Sequence, residues 1–236
     1  PAVGIELGIV VLGVLIAFQI TAWGEARADR SKEKVYLRQL AADLVETERI
    51  FAWADSANGH STRAAERLAG AFYAPDPPPR DSLLVWIGNA TNLVSVDPIT
   101  GTAHALVETG DLGLIRDDSL RSAITAYLGQ IEGMREVRAH IHADWMAGLN
   151  ALSEGADPFE ARATYTPRAE LDSLSHRLIG KPFDKMVIPS PLRAEAFLAD
   201  PRMRRAARDM SVRRDILNEM YDALRTSASR LLGRVE

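Results

Sequence analysis

The side chains best able to do chemistry in this chain are two histidines and a carboxylate, and their spacing works against a shared site. His140 and His142 flank Ile141. On a helix a spacing of two sends the imidazoles to different faces, so one helix cannot aim both at one ion. Glu136 lies four residues before His140, but no second Glu/His pair completes a di-iron set. His60, His104 and His176 are isolated and are expected to be structural, hydrogen-bonded residues. No serine falls in G-x-S-x-G or in an S-x-x-K context that supports a nucleophile. No P-loop or dinucleotide fingerprint is present. Gly110-Asp-Leu-Gly113 is too sparse to cradle a phosphate and reads as a turn between helices. There is no cysteine, which removes disulfides, thiolate metal sites and Cys nucleophiles together. These observations point to a non-enzymatic protein with no cofactor and no metal.

The strongest charge feature is the run Arg202, Arg204, Arg205, Arg208, Arg213, Arg214, interleaved with Asp209 and Asp215. One reading is a solvated helix face laced with i,i+4 ion pairs. The other is a docking face, centred on Arg204, Arg205 and Arg208, for an acidic partner or lipid headgroups. A net charge of −4 argues against nucleic acid as the main partner, since phosphate binding needs a concentrated basic surface. The 24 arginines against 4 lysines fit a GC-rich bacterial genome and carry no further message.

The elements that must position these residues read as helices. Residues 7–24, LGIVVLGVLIAFQITAWG, carry no formal charge over 18 positions. About 20 helical residues cross a hydrocarbon core of about 30 Å. Trp23 ends the run, where an indole prefers the headgroup level. The run is longer than a typical signal-peptide core and has no clear small-residue cleavage site before the charged stretch, so it is expected to be a retained anchor. Glu6 and Gln19 sit in or beside it, and a carboxylate there pairs or faces a protein neighbour. Glu6, Gly13 and Ala17 share one helical face, where small residues let another helix approach closely. Glu6, Gly13, Ala17 and Gln19 are therefore the expected contacts with a neighbouring membrane helix.

The helical pattern continues without proline through residues 24–73. A heptad runs along Leu37, Leu44, Phe51, Asn58, Ala65 and Phe72, with Leu40, Thr47, Ala54, Ser61 and Leu68 between them. It weakens at Asn58-Gly59-His60, where a helix can kink or break, so the anchor and residues 24–73 are expected to form one helix or two nearly collinear ones. The proline-rich stretch 74–80 ends it. Short helices are expected at 82–93 and 100–108. A long one covers 117–153, capped by Asp117 or Asp118, with a stripe through Leu120, Ile124, Tyr127, Ile131, Met134, Ile141, Trp145 and Leu152. Residues 154–191 are the least regular, with a short helix at 169–178. Asp200-Pro201 opens the last helix, an N-cap followed by proline at the first position. Along it Met203, Met210, Leu217, Leu224 and Leu231 recur every seven residues. The expected core includes Leu37, Leu44, Tyr127, Ile131, Ile141, Trp145, Met210, Leu217 and Leu224. No strand pattern is evident. The fold expected is all-α: an N-terminal transmembrane helix, residues 1–24, continuing into an elongated bundle of three long helices plus short ones over 25–236. Within the bundle, 25–73 is a stalk and 81–236 the remainder.

Two stretches, residues 2–30 and 102–128, resemble a widespread group of uncharacterised bacterial single-span proteins that carry a domain of unknown function. The resemblance rests on the early Glu of the anchor and on a Q-x-x-x-W-x-E-x-R exit, here Gln19, Trp23, Glu25 and Arg27. It rests further on the Gly–x–Leu–x–Leu–Ile segment from Gly110 to Ile115 and on an L-R-x-x-I-x-x-Y helix start, Leu120 to Tyr127; the DPRMRRAARDM stretch is similar too. It implies a topology and an all-helical domain, and no activity.

Together these readings lead to a membrane-anchored accessory subunit that braces a larger membrane assembly. An energy-transducing complex, respiratory or photosynthetic, is one host of that kind. Its expected partners are the lipid bilayer and other membrane subunits, with self-association as a further possibility, and no nucleic acid. The expected place is the bacterial inner membrane. Arg27, Arg30, Lys32, Lys34 and Arg38 favour a cytoplasmic domain by the positive-inside rule. The family pattern, often basic before the anchor, tips the balance slightly toward the periplasm. The alternative is an extracytoplasmic sensor with a ligand site between helices, for which the irregular 154–191 segment near Trp145 is the candidate.

Overall fold

The computed structural model describes residues 2–164, 166–185 and 192–235, without the side chains of 2–11, 158 and 159. Among the described residues there are helices and no strands. The long elements are α1 (Ala2–Ala71), α4 (Asp118–Gly155) and α8 (Pro201–Val235). The short ones are α2 (Arg80–Ala90), α3 (Gly101–Glu108), α5 (Pro158–Ala163), α6 (Arg168–Ile179) and α7 (Ala194–Ala199), with single 3₁₀ turns at Asp111–Leu114 and Phe183–Lys185. The sequence reading treats residues 25–236 as one helical body. By contacts the chain groups into two compact units, each drawing a stretch from α1, α4 and α8.

The first unit comprises Pro1–Thr47, Ile99–Gly129 and Ser227–Glu236. Leu40 and Leu44 of α1 are buried with Leu106 of α3, Ile115, Leu120, Ile124 and Tyr127 of α4, and Leu231 of α8. Polar residues on α1 secure the connections around α3. Asp43 Oδ2 accepts the Thr102 N–H at 2.9 Å, capping α3 from another helix where Thr100 provides no side-chain cap. Thr47 Oγ1 accepts the Ile99 N–H at 2.9 Å and donates to the Asp43 carbonyl at 2.8 Å. Tyr36 donates to Asp111 at 2.6 Å, and Glu33 accepts the Arg116 N–H at 2.8 Å. The turn at 110–113 behaves as a turn: Gly110 adopts φ +78°, which a side chain disfavours, and leads into the 3₁₀ segment. Asp117 then caps α4, accepting N–H groups from Ser119 and Leu120.

The second unit comprises Glu48–Pro98 and Gln130–Thr226. Its core holds Phe51, Ala65 and Leu68 of α1, Leu83, Leu84 and Ile87 of α2, Ile141, Trp145 and Leu152 of α4, and the seven-residue series Met203, Met210, Leu217 and Leu224 of α8. The α1 seam is buried as the heptad requires from Leu40 to Leu68, with Leu37 and Phe72 half-buried at its ends. Of the other expected core residues, Met134 is half-buried and the rest are buried.

α1 runs unbroken through Asn58-Gly59-His60. Asn58 is buried and exchanges two hydrogen bonds with Val94, Nδ2 to its carbonyl at 2.9 Å and Oδ1 from its N–H at 3.1 Å. The polar seam position is a partner for an extended segment after α2 rather than a weak point. That segment is held again by Tyr221, whose hydroxyl accepts the Val96 N–H at 3.1 Å, and by Arg138, which donates to the Val96 carbonyl and pairs with Asp97. Unpaired backbone groups of an extended chain are thus satisfied by side chains from three helices.

Candidate interaction face

The start of α8 fixes where its arginines point. Asp200 Oδ1 accepts the Arg202 N–H at 2.8 Å, and Pro201 needs no partner at the first helical position. Arg202 also grips Asp200 with its guanidinium at 2.9 Å and Glu154 at 2.8 Å. The Arg202 hydrogen bond is the main reason the Asp200 carboxyl sits below its ordinary range. With Met203, Ala206, Ala207 and Met210 in the core, Arg204, Arg205 and Arg208 project outward and are exposed.

The six arginines then divide by partner. Arg208 binds Asp209 at 2.8 Å, and Arg213 binds Asp144 of α4 at 2.8 Å. Among the described residues no carboxylate lies within 4.0 Å of the Arg204 or Arg205 guanidinium. Arg214 leaves the surface altogether and corrects the reading of the run as one solvated face. It is 1 % exposed, lies over the Trp145 ring with its guanidinium carbon 4.7 Å from the centroid, and donates to the carbonyls of Ala90 at 3.0 Å and Asn92 at 2.7 Å. The Ala90 carbonyl ends α2, where the helix dipole favours a cation, and the Asn92 carbonyl lies two residues beyond it. Burial pushes the guanidinium down to about 10, and the Asp215 charge opposes the shift.

Two hollows meet at Arg205. One, of about 300 Å³, lies between α4 and α8. Its floor is Ala147, Gly148, Ala151 and Ala206, and its rim carries Arg202, Arg205, Arg213, Asp144 and Asp209. Gly148 marks a close approach of α4 to α8, since a Cβ there would fall 2.7 Å from Met210 Cγ in the core. The other, of about 250 Å³, is lined by Tyr73, Pro201, Arg204, Arg205 and Arg208. The larger hollow is not where the sequence placed a ligand site. Trp145 is sealed in the core with Arg214, and the 154–191 segment borders a smaller hollow of about 200 Å³ through Glu154 and Gly155. Residues 186–191 of that segment lie outside the described residues.

The remaining sequence candidates are not brought together. His140, His142, His60 and His176 are exposed. His104 is half-buried, with Nδ1 4.0 Å from Glu108. No metal-holding group of His, Cys, Asp and Glu occurs among the described residues. Gly13, Ala17 and Gln19 are exposed, and nothing lies within 4 Å of a Cβ built on Gly13. The side chain of Glu6 lies outside the described residues. Among the described residues no helix is long and apolar enough to cross a membrane.

Sequence reasoning missed Tyr73 and the alanine–glycine floor. Ala147, Gly148 and Ala151 at helical spacing signal a close helix approach, and that signal was legible. Tyr73 carried none, because it follows α1 in a turn. No family model, curated protein or solved structure matches the chain.

Proposed function

We propose that this chain is a non-enzymatic, single-pass membrane protein of the bacterial inner membrane, serving as an accessory subunit that braces a larger membrane assembly. The observation that carries the reading is the exposure of α1 at its start. Leu12, Val14, Leu15, Ile16, Phe18, Ile20 and Trp23 are each at least half exposed. These positions surround the helix rather than forming one stripe. A helix that is apolar all round belongs inside protein or lipid, and none of the described residues covers it. The described side chains begin at Leu12, and the uncharged run extends back to residue 7 in the sequence. Thr21 Oγ1 donates to the Ala17 carbonyl at 3.1 Å, which satisfies that hydroxyl without water. Arg27 lies 5.7 Å from the Trp23 ring, an arrangement suited to a headgroup boundary. The likeness of residues 2–30 to single-span proteins supports the same reading and the slight preference for a periplasmic domain.

Alkaline carbonate extraction of membranes from cells expressing the full chain tests the anchor. The chain is expected to stay in the pellet. A Leu15→Arg/Ile16→Arg variant should be released, since each central charge costs about 2.5–3.5 kcal/mol of insertion. Extraction of the unmodified chain by carbonate defeats the proposal. Co-purification from native membranes in mild detergent identifies the assembly.

A second reading, an extracytoplasmic sensor, is favoured by the hollow of about 300 Å³ between α4 and α8. A ligand raising the melting temperature of the chain, with the effect lost in Ala147→Leu, an exposed position lining the hollow, would promote it.

A further inference from the structure

We propose that the hollow formed by Arg204, Arg205, Arg208 and Tyr73 binds a compact phosphoryl anion. The charge around this hollow is unmatched. Three arginines line one concavity of about 250 Å³, and the carboxylate paired with one of them is Asp209, held by Arg208 through Nε and Nη2. That leaves Arg204 and Arg205 without a carboxylate partner among the described residues and Arg208 with Nη1 uncommitted to Asp209. Guanidinium forks match the oxygens of a phosphoryl group, two donors to two acceptors. The hollow also lies on the first two turns of α8, the positive end of its dipole. Across it stands Tyr73, 69 % exposed, with a phenol able to donate to an anion oxygen.

Shape and extent favour a compact anion over an acidic protein helix. An acidic helix needs a long basic stripe. Here the positive surplus is confined to residues 204–208, and Asp209 and Asp215 follow it along the same helix. A multi-oxygen anion needs only a few guanidinium donors around a small space, and three arginines line a cavity of that size. The same phosphoryl chemistry comes either on a soluble phosphate ester or on a phospholipid headgroup. The inference is independent of the anchor proposed above, so either can fail alone.

The test uses the full chain held in nanodiscs of neutral phosphatidylcholine. Inorganic pyrophosphate is titrated into it by calorimetry, beside an Arg204→Gln/Arg205→Gln variant and an Arg225→Gln variant. Arg225 is exposed on α8 away from the hollow and controls for charge. In a second arm, the nanodisc-held protein is mixed with separate phosphatidylcholine vesicles, with or without phosphatidic acid, and co-flotation is measured. If the chain proves not to need a membrane, both arms run in buffer. The expected result is saturable pyrophosphate binding that weakens at least about ten-fold in the double variant and not in Arg225→Gln. Capture of phosphatidic acid vesicles that depends on Arg204 and Arg205 supports a headgroup source; pyrophosphate binding without such capture supports a soluble one. No binding in either arm, or equal losses in the double variant and Arg225→Gln, overturns the proposal. Unchanged circular dichroism and melting of the variants separate loss of the site from loss of the fold.

Discussion

The Arg214 guanidinium lies over the face of Trp145, 4.7 Å from the ring centroid, inside the core of the second unit. A cation there is tolerable because its surroundings are arranged for it. The ring offers its negative face, and two carbonyls, one at the end of α2 and one two residues beyond it, accept its protons. Asn58 Oδ1 lies 3.5 Å from Nη1, so one arginine links α1, the end of α2, α4 and α8. Nε finds no partner among the described residues, a residual cost of the arrangement.

Arg214→Ala should therefore destabilise the protein by about 2–4 kcal/mol, through a cavity and two orphaned carbonyls. Arg214→Met restores most of the volume and should lose less. Urea unfolding of both variants checks this. A loss within about 0.5 kcal/mol for Arg214→Ala, the range of an ordinary surface change, would refute the account. A cycle with Asn58→Ala should show coupling of about 0.5–3 kcal/mol, because both residues pin the segment after α2.

Much of this fold was legible because its periodicities are long and unbroken. Met203, Met210, Leu217, Leu224 and Leu231 are all buried, and Asp117 and Asp200 cap the helices they precede. What escaped the sequence was the polar part. Thr47, Asn58 and Ser61 look like defects in a heptad until an extended segment from elsewhere in the chain meets Thr47 and Asn58. Arg214 looks like its exposed neighbours, since a helical register alone does not say that a cation has an aromatic face and two carbonyls waiting. The Arg205 hollows were half legible: the exposed arginines could be read from register, but Tyr73 arrives through a turn with no pattern of its own.

Tyr127 gives a pH prediction in the first unit. It is 3 % exposed, and its hydroxyl has no hydrogen-bond partner among the described residues. Burial pushes the phenol up to about 12, with the Asp43 charge adding to the rise and nearby Thr47 opposing it. The folded value lies above the unfolded one, so this stabilisation is whole below pH 10 and is lost as pH rises through about 12. Tyr127→Phe should lack that loss. Its stability relative to the unmodified chain should rise by roughly 1 kcal/mol between pH 9 and 11, read from urea midpoints. Arg214 shifts the other way and is common to both proteins, so it cancels in the comparison. A difference independent of pH would contradict the assignment.

Gly148 and Gly155 make a matched pair on α4. A Cβ on Gly148 meets the Met210 side chain at 2.7 Å and 3.0 Å, a flexible neighbour. A Cβ on Gly155 meets the Phe197 ring at 2.8 Å and 3.1 Å, with Met203 Sδ behind at 3.5 Å. Methionine yields by rotating, whereas a buried ring has fewer alternatives. Replacing Gly by Ala within a helix gains about 0.5–1 kcal/mol of propensity. Gly148→Ala should therefore be close to neutral and Gly155→Ala destabilising by about 1–2 kcal/mol. The reverse order of melting temperatures would show that the ring moves more easily than the thioether.

The membrane reading makes its sharpest demand at Gly13. Among the described residues nothing lies within 4 Å of a Cβ built on Gly13, so Gly13→Leu leaves the described core of each unit untouched. In a membrane assembly the demand is different. Gly13 and Ala17 are four residues apart on one helical face, and their small size lets a second helix pack at close range. A leucine at 13 would hold that helix away and remove dispersion contacts along the seam. Lipid tails, in contrast, accept leucine as readily as glycine. The variant should therefore stay in carbonate-washed membranes with unchanged helicity while losing its co-purifying subunits in mild detergent. Retention of the same partners at the same yield would exclude the Gly13–Ala17 face as the contact. Migration of the unmodified chain as a lone species on native gels, with no co-purifying subunit, would remove the accessory-subunit proposal and leave the sensor reading in its place.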